Sequence, residues 1–225
     1  MNFQVKFDIN EKIFVKDPQS GELGKLIVKN AIDLIFQIGF EQFNFKKLAL
    51  EINSTEAGIY RYFENKHRLL LYIVNWYWCY MKFVLTFKLE NVADKKERLK
   101  IIVHLLTHEI AETGNRFSYN GAHLHAIILS EGSKVYLTKH VTEENGKEFF
   151  KPYNDLCDMI ANAICAYNSQ YQYAKSLSST LIETAHRQQF FNTHIPKLTG
   201  SLSGNKPNSV NRFLEHFLFS ALQIS

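Results

Sequence analysis

Apolar residues recur along this chain at helical spacing over almost its whole length. Leu23, Leu26, Ile27, Ala31, Leu34 and Ile35 fall three and four apart and predict a core stripe on a helix over residues 20–37, with Gly39 just past its end. Residues 45–51 (FKKLALE) repeat the pattern in miniature, with Asn44 as cap and Leu48 and Ile52 inward. Ile52-Asn53-Ser54 turns the chain. Residues 55–63 (TEAGIYRYF) then predict a third short helix. Thr55 can cap it, Ile59 and Phe63 stand four apart on an inward face with Tyr62 beside them, and Glu56, Ala57, Tyr60 and Arg61 fall mostly on the other side. After Glu64-Asn65-Lys66 a long helix over 66–89 begins. Its Leu69, Leu70, Ile73, Trp76, Tyr77, Tyr80, Phe83, Val84 and Phe87 make it apolar over most of its surface, which fits a bridge between two domains.

Five more helical stretches follow. Residues 95–112 place Leu99, Ile102, Val103, Leu106 and Ile110 inward behind an Asp94 cap. Residues 118–131 stop at Gly132. Residues 143–167 carry Phe149, Phe150, Tyr153, Leu156, Ile160 and Ile164. Residues 171–194 end before Pro196, and 209–224 follow a loop at 198–207. The count is about nine helices, and no run after residue 20 alternates as a strand does. The first eighteen residues differ: Phe3, Val5, Phe7 and Ile9 alternate with polar positions, and Ile13-Phe14-Val15 follow. That is either a short β-hairpin, for which Asn10-Glu11 is a poor turn, or an arm ordered only by packing. The expected class is all-α, with an arm at 1–19, a domain at 20–78 and a larger helical domain at 79–225.

Two short helices joined by a tight turn make a helix-turn-helix, whose second helix can lie in a DNA groove. Small residues at Ala57 and Gly58 allow close approach, with Tyr60 and Arg61 outward. The ungapped run from Gly39-Phe40 through FNFKKLALEINSTEAGIYRYFENKHRLL resembles the N-terminal domain of TetR/AcrR-type transcriptional regulators, over about residues 21–78. Its most specific part is Ile59-Tyr60-Arg61-Tyr62-Phe63, followed by Asn65-Lys66 and Leu69-Leu70. The resemblance implies phosphate contacts from Tyr60 or Tyr62 and from Lys66. The full candidate DNA surface is Lys46, Lys47, Thr55, Glu56, Ala57, Gly58, Tyr60, Arg61, Tyr62 and Lys66. Three positions depart from the pattern. Asn53 stands where Gly is usual and tolerates left-handed backbone nearly as well. Ser54 replaces a hydrophobic residue. Glu56 replaces a frequent Lys, and its carboxylate either repels phosphate or accepts from a cytosine amino group.

Composition changes this picture little. A net charge of +4 over 225 residues is only a mild sign of nucleic acid, so the case rests on the motif. Cys79, Cys157 and Cys165 cannot all pair and lack metal-ligand spacing, which fits core thiols in a reducing cytoplasm. Lys6 and Asp8 interrupt any signal-like run, and Asn75, Lys82 and Lys88 divide the most apolar helix, so no membrane span is expected. Nothing suggests a catalytic triad or a cofactor, and His104/His108, four apart, have no carboxylate or Cys to complete a metal site.

The resemblance further implies an effector pocket in the larger domain, for which Tyr80, Phe83, His104, His108, His123 and Tyr153 are candidates; an aromatic lining suits a largely apolar small molecule. It also implies that the last two helices pair with their copies, making Leu177, Leu181, Phe213, Leu214, Phe217, Leu218 and Ala221 candidates for a homodimer interface. The expected function is a ligand-responsive repressor, dimeric on a palindromic operator. The alternative is a helical ligand- or protein-binding module whose helix-turn-helix is only scaffold, a reading that Glu56 favours.

Overall fold

The computed structural model describes residues 6–112, 119–139, 141–200 and 208–223. Among them are ten α-helices, four short 3-10 turns and no strand. The helices are α1 (Glu22–Gln42), α2 (Phe45–Glu51), α3 (Glu56–Tyr60), α4 (Lys66–Leu89), α5 (Lys95–Glu112), α6 (Gly121–Glu131), α7 (Val141–Gly146), α8 (Lys151–Tyr167), α9 (Ala174–His194) and α10 (Ser209–Gln223). They form two compact units that interleave in sequence. One comprises Met1–Tyr80 and Ile110–Pro152, the other Met81–Glu109 and Tyr153–Ser225.

In the first unit Ile27, Val28, Ala31, Ile32 and Ile35 of α1 are buried with Leu48, Ile59, Phe63, Leu69, Leu70 and Ile73. Leu26 is not part of this stripe; it is 40% exposed, because the buried face runs through Gly24, Ile27, Val28 and Ala31 instead. A relay of rings ties the short helices together: Phe40 to Phe43 at 6.5 Å, Phe43 to Phe45 at 6.4 Å, and Phe45 edge-on to Tyr60 at 5.0 Å. Burying a side chain such as Phe40 or Phe63 contributes ~1.5–3 kcal/mol. Helix α1 continues past its predicted end, because Gly39 adopts φ +75° and kinks the helix without terminating it. On its other flank α1 meets α6, where the His123 ring stacks on Phe36 at 4.0 Å and its Nδ1 lies 2.7 Å from an Asp33 carboxylate oxygen.

The arm is not a hairpin over its described part; Phe3 and Val5 lie outside the described residues. Asn10 and Asp17 cap 3-10 turns at Glu11–Ile13 and Pro18–Ser20. The Gln19 amide takes both backbone groups of Phe7, accepting at 3.0 Å and donating at 2.8 Å, as a strand partner would. Ile9 and Ile13 are buried, Phe7 packs edge-on to Trp76 at 5.3 Å and Phe14 to Tyr72 at 6.0 Å. The apolar alternation therefore marks packing residues of an arm laid on α4.

In the second unit Leu99, Ile102, Val103 and Leu106 of α5 are buried, as are Leu156, Ile160 and Ile164 of α8, Leu177, Leu181 and Ile182 of α9, and Leu214 and Leu218 of α10. The single helix expected over 143–167 is two. Glu148 has φ +59°, which breaks the ladder after α7, and α8 restarts with Pro152 in its first turn. Phe83 and Phe87 are 38% and 60% exposed and pack on each other at 4.8 Å, so α4 loses its second buried face toward its end. Cys165 is exposed and is not core filler.

Candidate nucleic-acid interface

The turn between α2 and α3 is closed by backbone alone. Asn53 takes φ +49°, its N–H donates to Leu50 O at 3.3 Å, and Ser54 N–H donates to Ala49 O at 2.9 Å. Asn is among the few residues that enter this region at low cost, so it can stand where a turn otherwise asks for Gly. Asn44 Oδ1 accepts from Lys47 N–H at 2.9 Å and Thr55 Oγ1 from Gly58 N–H at 3.1 Å, so each short helix has the cap its sequence announces. A Cβ at Gly58 would stand 3.0 Å from Ser54 Oγ, a tight contact that the serine hydroxyl would have to yield to.

The resulting surface presents Thr55, Glu56, Ala57, Tyr60 and Arg61 to solvent on α3, with Lys46 and Lys47 exposed on α2. Tyr60 is 50% exposed while its ring edge is fixed against Phe45. Glu56 occupies the first turn of α3, where a carboxylate complements the partial positive charge of the unpaired amides. Lys47 keeps part of its reach, although its ammonium donates to Gln42 O at 2.8 Å.

Two of the residues expected to touch phosphate have partners within the protein. The Lys66 ammonium donates to the carbonyls of Phe40, Glu41 and Phe43 at 3.0, 3.2 and 3.1 Å, so all three of its protons cap the end of α1. Tyr62 is buried, and its carbonyl accepts from Val15 N–H at 2.8 Å. Lys16, which the motif gives no reason to single out, is exposed with its ammonium 5.3 Å from the centre of the Tyr62 ring.

The effector candidates divide between the units. Tyr80, stacked on Trp76 at 5.9 Å, and His123 lie in the first; Phe83, His104, His108 and Tyr153 lie in the second. The two histidines of α5 stack at 4.5 Å, and His108 is engaged by Thr107 Oγ1 at 2.6 Å and Asn208 Oδ1 at 2.7 Å. Tyr153 donates to Glu183 at 3.2 Å. No cluster of three or more metal-ligating side chains occurs among the described residues. Of the dimer candidates, Leu177, Leu181, Leu214 and Leu218 are buried within the protomer, whereas Phe213, Phe217 and Ala221 remain partly exposed.

Sequence reasoning missed a cavity of about 490 Å³ within the first unit. It is lined by Asn65, His67, Arg68 and Leu71 of α4, by Lys134, Val135, Thr138 and Lys139 after α6, and by Glu143, Glu144 and Lys147. None of the effector candidates lines it. Its charges are largely paired: Arg68 to Glu144 at 3.4 Å, and Lys134 to Glu131 at 2.9 Å and to Glu41. The Lys134 ammonium holds the Glu41 carboxyl below the usual carboxylate range, and Glu41 in turn raises Lys134. Elsewhere burial pushes the phenols of Tyr77 and Tyr119 and the thiol of Cys157 upward, which keeps all three neutral. No described helix is long and apolar enough to cross a membrane.

A capped helix, a left-handed turn and a second capped helix with an open polar face define a helix-turn-helix module. Residues 27–73, which contain it, match the family of bacterial regulatory proteins of the tetR type, a family of regulators and not of enzymes. Over most of its length the chain shares its fold with solved structures. The fatty acid degradation regulator FadR from Bacillus halodurans is 17% identical, with 90% of this chain and 96% of that one covered and a TM-score of 0.60. AibR in complex with isovaleryl coenzyme A and operator DNA is 14% identical, with 88% and 97% covered and a TM-score of 0.58. Superantigen PfiT is 17% identical, with 91% and 97% covered and a TM-score of 0.58. At such identities the likeness is one of fold. No curated protein matches the chain in sequence.

Proposed function

We propose that this protein is a sequence-specific DNA-binding transcriptional regulator, a ligand-responsive repressor that acts as a homodimer on a palindromic operator. The observation that carries the reading is the open face of α3, where Thr55, Ala57, Tyr60 and Arg61 lie exposed on a helix whose core side and caps are fully engaged. Helices of this kind read base edges in the major groove, while Lys46, Lys47 and Arg61 supply the cations for phosphates. The TetR-type match over the same residues, and a fold shared with a regulator solved on operator DNA, support it. A reading helix per protomer and a twofold pair of protomers match two half-sites on one face of the duplex.

The effector is a small, largely apolar molecule bound in the C-terminal part of the chain; AibR, solved with isovaleryl coenzyme A, shows that this fold takes a ligand, though of that one only the acyl group is apolar. Effector binding shifts the population between two conformers that differ in DNA affinity, with α4 as the element shared between the parts of the chain. Soluble action in the cytoplasm follows from this role.

Selection of bound sequences from a random duplex pool tests the reading, with wild type and Tyr60→Ala/Arg61→Ala in parallel. A palindromic motif from the wild type, absent with the variant, is expected. A pool left unenriched at moderate salt sinks it. The second reading, a ligand- or protein-binding module with the helix-turn-helix as scaffold, draws on the exposed Glu56 and on superantigen PfiT, whose like fold serves another role. It would be favoured by an unenriched pool.

A further inference from the structure

We propose that the arm before α1 supplies a DNA phosphate contact through Lys16. The inference rests on the DNA-binding reading above and concerns where the backbone is gripped. Phosphate contacts need a cation that is exposed, not already spent on a carboxylate or a set of carbonyls, and held close to the reading helix. Lys66 fails the second condition, since its three protons cap α1. Lys25 is tied to Glu22 at 3.0 Å, and Lys6 to Asp17 at 3.0 Å. Lys16 meets all three conditions. It is exposed, it has no carboxylate partner among the described residues, and its ammonium lies over the ring of Tyr62, the second residue after α3.

The position of Lys16 is built in. The Val15 N–H to Tyr62 O bond at 2.8 Å fixes the residue before it, and the Asp17 side chain fixes the one after by accepting from Gln19 N–H at 2.8 Å. Pro18 is buried, and its carbonyl and Cα approach Gly24 so closely that a Cβ there would stand 2.5 Å and 2.7 Å from them. The arm is thus pinned to the end of α3 and the start of α1 at once, and Lys16 rides at that junction over the ring of Tyr62. A cation in that place adds a positive group beside the end of the reading helix. It carries no base information, so its contribution is equal on any sequence.

The test is the salt dependence of binding to a mixed-sequence duplex by the full chain, as wild type, Lys16→Ala and Lys16→Arg, with thermal melts of each to show an unchanged fold. Removing one phosphate contact lowers the steepness of log affinity against log salt by about 1. The expected result is a slope shallower by about that amount in Lys16→Ala, a several-fold loss of affinity at low salt, and recovery in Lys16→Arg. A wild type with a steep slope that Lys16→Ala leaves unchanged overturns the arm contact while leaving the DNA-binding reading in place. A wild type whose binding does not respond to salt overturns both.

Discussion

Lys66 and Tyr72 separate what a side chain is from what it does. At Lys66 the motif foretells an external phosphate, but the ammonium is spent on three carbonyls at the end of α1. Lys66→Met leaves those carbonyls without donors and is expected to cost about 2 kcal/mol of stability, the scale of hydrogen bonds from a charged group. Denaturant melts would read that loss, and the salt slope of DNA binding should stay as in the wild type; a shallower slope would return Lys66 to the interface. Tyr72 shows the converse. Its ring is buried against Phe63 at 5.5 Å, and its hydroxyl has no hydrogen-bond partner among the described residues, while burial pushes the phenol well above its usual range. Tyr72→Phe keeps the ring and removes an uncompensated polar atom. Its melting temperature is expected to equal or exceed that of the wild type, whereas a drop of several degrees would show that the hydroxyl is satisfied in solution. Neither role could be read from sequence, because a lysine's donors and a phenol's partner are chosen by chain segments brought together only on folding.

At the scale of elements, caps and apolar spacing were legible, and breaks inside long patterns were not. Asn44 and Thr55 announce α2 and α3 because a cap is a local bond between residues three apart. Gly39 and Glu148 both take left-handed backbone, yet one kinks a helix and the other ends one. The difference lies downstream of each, since Phe43 N–H returns to Gly39 O while Pro152 limits the start of α8. The arm misleads for a related reason: alternation of Phe7 and Ile9 describes which residues pack, and Gln19 supplies from a distance the hydrogen bonds a second strand would. Gly24→Ala tests how firmly that arm is held. The new Cβ meets Pro18 backbone and the Tyr62 ring at 2.5–2.8 Å, neither of which can yield cheaply. A loss of ~1–3 kcal/mol is expected, as for an overpacked core site. Faster hydrogen exchange at the Val15 amide should accompany it. An unchanged melt with a protected Val15 amide would mean that the arm is not pinned where it crosses α1.

The whole molecule holds what a linear reading reaches least. Its two compact units interleave, with residues 110–152 grouped with the N-terminal helices, an arrangement that no boundary drawn along the sequence can express. Dimerisation is a similar case. The apolar stripe of α10 is visible in the sequence, but a stripe does not say which of its residues face the protomer's own core. Leu214 and Leu218 are fully buried there, while Phe213 and Phe217, stacked at 6.3 Å, remain partly exposed on the same helix. If two protomers pair through α10, the outward aromatic pair carries the contact, and Phe217→Glu places a carboxylate in it without disturbing the buried leucines. Sedimentation of the wild type is expected at twice the chain mass of 26.2 kDa, and of Phe217→Glu at the chain mass itself, with an unchanged helical spectrum. Loss of the twofold partner removes the second half-site from reach, so affinity for a full palindrome should fall roughly 10²-fold while affinity for an isolated half-site stays the same. A Phe217→Glu protein that remains a dimer would place the interface off this face of α10. One that becomes a monomer but binds the palindrome as tightly as the wild type would mean that the two reading helices do not act together.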